Sequence, residues 1–149
     1  MIRRLARDCR GAAAVEAAIV VPVLAALGFG AADGAWMFAQ THTLEAGLTA
    51  GGSYLAQAGA GTLSEDRARQ IAVTGDMVPG RKARIRGWSP SHVTIRYVDT
   101  ANDGLYRGSG AVRVARLETT VPYQGLGILR GLVGGELTLE ASFETRLTP

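Results

Sequence analysis

The 149-residue sequence predicts an α+β protein. A long N-terminal helix is expected to cross a membrane and continue as a stalk. A short second helix and a small C-terminal antiparallel sheet of three to four strands follow. Three observations carry this expectation. Residues 11–32, GAAAVEAAIVVPVLAALGFGAA, are almost wholly apolar, with one ionisable residue, Glu16, and one proline, Pro22. A helical pattern free of proline continues to Gly59. From Ala83 the pattern changes to apolar residues alternating with polar ones, the two-residue period of half-buried strands.

Residues 1–11 are a basic leader in which Arg3, Arg4, Arg7 and Arg10 stand against Asp8. Beyond them 12 of the 16 basic and 12 of the 13 acidic residues remain, so the rest of the chain is neutral. The positive net charge therefore reports the leader and not a nucleic-acid surface. No basic run interleaved with aromatics occurs later, and nucleic acid is not an expected partner. Arginines just before an apolar run hold that end in the cytoplasm. The chain then crosses once, with its C-terminal part in the periplasm or outside. The single cysteine, Cys9, lies in the leader. It permits no intramolecular disulfide and is read as incidental.

Residues 12–32 are the expected transmembrane helix. At 1.5 Å per residue the apolar run is about 33 Å long, against a hydrocarbon core of about 30 Å. Glu16 is the anomaly, because a carboxylate in lipid costs about 2.5–3.5 kcal/mol even on lenient scales. It must lie near an interface, be neutral, or meet a cationic partner. Pro22 removes one intrahelical hydrogen bond and crowds the carbonyl of Ala18, which a membrane helix tolerates as a kink. A secretory signal peptide has the same basic-then-apolar layout. This run is longer than a usual signal core and leads into further helix, so an uncleaved signal anchor is the stronger plain reading.

Residues 33–60 read as a helical stalk. Trp36, Leu44, Leu48 and Leu55 recur at roughly helical spacing, and Thr41, His42, Glu45, Thr49 and Gln57 supply a polar side. Ala50, Gly51, Gly52 and Ser53 are either a weak point in the helix or a place of close helix–helix approach. A continuous helix from Ala12 to Ala58 would be about 70 Å long. Residues 61–149 form the small α+β domain. Thr62-Leu-Ser-Glu65 fits a capping box ahead of a helix from Leu63 to Thr74, which Gly75, Pro79 and Gly80 end. Val93, Ile95 and Tyr97 mark one strand, and residues 99–104 form an Asx-type turn. Ala111–Val121 is the next strand. Its apolar phase shifts, with Val112 and Val114 on one face and Leu117 and Val121 on the other, which a bulge near Ala115 and Arg116 would reconcile. A glycine-rich connection from Gly125 to Gly135 carries Leu126, Ile128, Leu129, Leu132 and Val133, and is expected to fold onto the sheet, with a partner contact as the alternative. Leu137 to Leu147 is the most regular strand.

No catalytic constellation is visible. His42 and His92 have no second ligand at metal spacing, so no metal is expected. The glycine-rich connection lacks the spacing and the Lys-Ser/Thr of a phosphate loop, and no nucleophile-elbow pattern occurs. Neither a cofactor nor a small-molecule substrate is expected, and the chain is read as non-enzymatic.

One arrangement stands out: Arg10-Gly11, then Ala12 to Val15, then Glu16. A basic leader ends in glycine and a lone glutamate stands five residues later in an apolar helix. This resembles the processing site of type IV prepilins. With Ala17, Ala18 and Pro22 following, the segment resembles the TadE-like family, pseudopilins or minor pilins of the tight-adherence (Tad) pilus system. The resemblance covers residues 10–50, about a third of the chain. It implies cleavage after Gly11 by a membrane-embedded prepilin peptidase, leaving Ala12 as the new N-terminus. It implies that Glu16 meets the amino-terminal charge of another subunit, and that Pro22 is a flexible point as the helix leaves the bilayer. It implies as partners the bacterial inner membrane, other Tad pilin and pseudopilin subunits, and the pilus assembly platform. Major Tad pilins place tyrosine after the glutamate, where this chain has Ala17, and they are very short. The pattern therefore resembles a minor pilin. The competing expectation is an unprocessed, signal-anchored periplasmic binding or sensor domain.

Overall fold

One helix, α1 (Cys9–Ala58), takes up a third of the chain and runs unbroken through Pro22. The structure is a computed structural model describing residues 9–101 and 111–147, without the side chains of residues 9, 10, 132 and 133. At 1.5 Å per residue the 50 residues of α1 extend about 75 Å. The helix ends where Gly59 takes a positive φ of 77° and its N–H bonds the carbonyl of Leu55 at 2.9 Å. That geometry costs glycine little and satisfies a carbonyl otherwise left without a partner.

The following elements are α2 (Thr62–Thr74), a 3-10 turn (Pro90–His92), β1 (Val93–Thr100), β2 (Val112–Pro122), α3 (Ile128–Val133) and β3 (Thr138–Arg146). The strands form an antiparallel meander in the order β1-β2-β3. The expected α+β architecture is present, with three strands among the described residues.

The head is built on the second half of α1. Leu44, Gly47, Leu48, Gly51, Gly52 and Leu55 are buried and recur three or four residues apart, one face of the helix. The leucines fill the core and the glycines admit neighbours. A Cβ at Gly51 would stand 2.5 Å from the carbonyl oxygen of Ala68 in α2, and one at Gly52 would stand 2.6 Å from the Phe143 ring of β3. Of the two readings of the small-residue patch, close approach is the one observed. The sheet contributes Val93, Ala115, Leu117, Val121 and Leu139 to the same core. Trp88 closes it, its indole N–H donating to the buried Thr119 hydroxyl at 3.0 Å.

Three local expectations are corrected. Thr62 is the first residue of α2 and not its cap. Gly61 occupies the cap position with no side-chain hydrogen bond, and Glu65 turns to Arg69 and Tyr97 instead. The bulge near Ala115 and Arg116 is absent: Val93 pairs with Thr119 through to Thr100 with Val112, without interruption. Ala115, Leu117, Thr119 and Val121 face the core in strict alternation, while Val114 lies half-buried on the opposite face. The phase shift thus reflects two valines, Val112 and Val114, on the face opposite Leu117, of which Val112 is itself buried. Finally, the glycine-rich connection holds the helix α3 and rests against α1 instead of folding onto the sheet. Of the residues placed in the Asx-type turn, Asn102, Asp103 and Gly104 lie outside the described residues, and Asp99 pairs with Arg113 at 2.8 Å.

Candidate functional site: the bare half of α1 and its exit point

The first half of α1 has nothing packed on it. Every residue from Gly11 to Phe29 is exposed, including Val15, Ile19, Val21, Leu24 and Leu27. The helix is long and apolar enough to cross a membrane, with a mean hydropathy of 2.2 over its most apolar 18-residue window. In water this much apolar surface would be costly at about 25 cal/mol per Å²; in lipid it is at home.

Gly11, Ala12, Glu16 and Pro22 all lie on this exposed stretch. A separation of five residues puts Glu16 about 7.5 Å along the axis from Gly11. Among the described residues Glu16 has no hydrogen-bond or ion-pair partner. Arg3, Arg4 and Arg7 lie outside the described residues, as does the side chain of Arg10. His42 stacks edge-on against Phe38 at 4.2 Å and pairs with Glu45 at 3.2 Å. Among the described residues no three His, Cys, Asp or Glu side chains converge as a metal site would require.

Where the apolar run ends, the structure holds a feature that sequence reasoning missed. Asp33, the first residue after the run, is inaccessible to solvent. One carboxylate oxygen accepts the Tyr123 hydroxyl at 2.5 Å and the Leu126 amide at 3.0 Å. The other accepts the amides of Ile128 and Leu129 at 3.1 and 3.0 Å. These are free N–H groups at the start of α3, which the carboxylate satisfies as a cap would. The Tyr123 hydroxyl bond, followed by those from the amides, holds the Asp33 carboxyl below the usual carboxylate range. Burial and the same partner push the Tyr123 phenol up to about 12. A Cβ on Gly125 would overlap both the Tyr123 hydroxyl and the Asp33 carboxylate, so the backbone there must be glycine. The partners lie 90 to 96 residues from Asp33. The only local signal was an aspartate closing an apolar run with no basic residue nearby.

A second polar cluster ties α2 to β1. Tyr97 donates to Glu65 at 2.8 Å, Glu65 pairs with Arg69 at 3.1 Å, and Arg69 donates to the Val93 carbonyl at 3.2 Å. Burial, then the Glu65 contact, raises the Tyr97 phenol to about 12. All of its donors and acceptors serve one another, so its role is structural.

The bare helix and the folded head share one continuous element, and residues 11–52 match the family model described as TadE-like protein. This part of the chain is similar to that family. Neither the curated proteins nor the solved structures give a match. The TadE-like segment covers the whole apolar run, Asp33, and the part of α1 that carries Leu44, Leu48 and Gly51 into the core. The similarity points to a structural role associated with the Tad pilus. With the apolar helix, it points to membrane anchoring.

Proposed function

We propose that the chain is a minor pilin or pseudopilin that takes part in assembling a tight-adherence type IV pilus. Residues 12–32 hold it in the inner membrane as a single span, with the leader in the cytoplasm and the domain of residues 61–149 in the periplasm. A prepilin peptidase cleaves after Gly11, and Ala12 becomes the N-terminus. The observation that carries the reading is the uncovered TadE-like helix, with one glutamate five residues after Gly11 and the head built directly on its far end.

The physical argument concerns Glu16. A plain anchor gains nothing from a carboxylate in its apolar stretch. A subunit whose neighbour presents a fresh α-amino group does, because opposite charges attract strongly where water is scarce. Cleavage after Gly11 creates that amino group. The Gly11–Ala12 bond lies near the start of the described part of α1, and glycine leaves the bond accessible to a protease.

The test uses Glu16→Ala in the full chain. Membrane insertion is expected to be unchanged and incorporation into pili abolished, read by fractionation and by immunolabelling of sheared filaments. Normal incorporation of the variant would show that Glu16 has no part in subunit recognition. Replacing Gly11 with a bulkier residue is expected to leave a chain that still carries its leader.

A further inference from the structure

The loop pinned by Asp33 lies where α1 leaves the apolar run, and this fixes its height relative to a bilayer. Side chains on a helix tilt toward its N-terminus, so the Asp33 carboxylate leans back toward the span. The amides of Leu126, Ile128 and Leu129 bond to that carboxylate. They therefore stand level with the last residues of the apolar run. A span of about 30 Å is used up at this point, and the headgroup zone beyond it is about 5–7 Å deep on each side.

The groups at this level suit that zone. Leu126 is 67% exposed, although its own amide and those of Ile128 and Leu129 are held by the aspartate. Trp36, about 4.5 Å further along the axis, is 57% exposed. Arg130 projects with only a loose 3.8 Å contact to Glu136. An apolar side chain, a tryptophan and an arginine in one shallow layer are the composition of membrane-interface segments.

We propose that residues 125–131 are a membrane foot. The segment rests in the headgroup layer of the leaflet from which α1 emerges, with Leu126 toward the acyl chains and Arg130 toward the phosphates. Asp33 couples its height to the helix, so the head is seated on the bilayer and does not stand off on a free stalk. The proposal rests on the reading of residues 12–32 as a span.

The test uses the full-length chain in vesicles of phosphatidylethanolamine and phosphatidylglycerol, with Cys9→Ser as background. Leu126→Cys, Val20→Cys and Thr94→Cys are each labelled with a fluorophore and challenged with a nitroxide on shallow lipid positions or dissolved in water. Thr94 lies beside Asp66, which is in the helix that follows the C-terminal end of α1. Lipid nitroxide is expected to quench position 126 several-fold more than position 94, and position 20 to be shielded from the aqueous quencher. Adding Asp33→Asn is expected to lower lipid quenching at position 126 and leave position 20 unchanged. If position 126 behaves as position 94 does while position 20 is buried in lipid, the span stands and the foot is wrong. If position 126 is shielded from both quenchers, protein covers the loop, and the foot is wrong again. If position 20 is open to the aqueous quencher, the span reading fails and the foot with it.

Discussion

Asp33 gathers four donors from a segment 90 to 96 residues away. A buried carboxylate is tolerable only when its oxygens are satisfied, and this one is. Tyr123→Phe removes one charge-assisted donor and leaves the three amides. It is expected to cost about 1.5 kcal/mol in denaturant unfolding of the full chain in detergent. Asp33→Ala strands three amides and is expected to speed hydrogen exchange at Leu126, Ile128 and Leu129. Exchange at Leu117 and Leu139 should stay unchanged. The pH dependence follows from the direction of each shift. The Asp33 carboxyl is lowered on folding, so its stabilisation is present above the ordinary carboxylate pKa of about 3.9 and lost as pH falls through the lower folded value. The Tyr123 phenol is raised to about 12, so its contribution is full below about pH 10 and lost as pH rises through about 12. The loop is therefore expected to stay docked across the neutral range and to open at either extreme, read by exchange of the same amides.

Among the elements, α1 carries two solvents on one helix. From Gly11 to Phe29 its whole circumference is bare and, Glu16 apart, apolar. From Leu44 to Leu55 one stripe alternates leucine with glycine against α2 and the sheet. Gly51→Ala is expected to destabilise the head by about 1–3 kcal/mol, because the added methyl meets backbone that cannot swing aside. Gly34→Ala, with nothing within 4 Å, is expected to be neutral or to stabilise by up to about 1 kcal/mol through helix propensity. Denaturant midpoints for the two variants should move in opposite directions. These elements were unequally legible in the sequence. The helix and the strand around Phe143 could be read because their periods persist over many residues. The cap of α2 was misassigned because Glu65 has a better use against Arg69 and Tyr97, which local spacing cannot reveal. The bulge was inferred from Val112 and Val114, whose apolar character on the face opposite Leu117 broke the alternation without breaking the ladder. The short helix α3 was hidden because its glycines, two of them with positive φ at its ends, read as a loop. Its cap comes from Asp33 and not from a neighbour in sequence.

At the scale of the molecule, the head depends on the same helix whose first half is proposed to cross the membrane. Leu48 is fully buried between α2 and the sheet, and Leu48→Ala is expected to cost about 2–5 kcal/mol, seen as an earlier loss of Trp88 fluorescence in urea. The helix therefore cannot slide past the head, and a movement of the span out of lipid must carry the head with it. This coupling suits a subunit extracted from a bilayer into a filament. It also makes the N-terminal end of α1 the decisive place, because only there does a stored anchor differ from an assembling subunit. The most direct measurement is the N-terminus and intact mass of the protein recovered from native membranes. The account predicts a chain that begins at Ala12, with the leader to Gly11 removed. A chain that still carries Met1 to Gly11, in cells with an active prepilin peptidase, would contradict it.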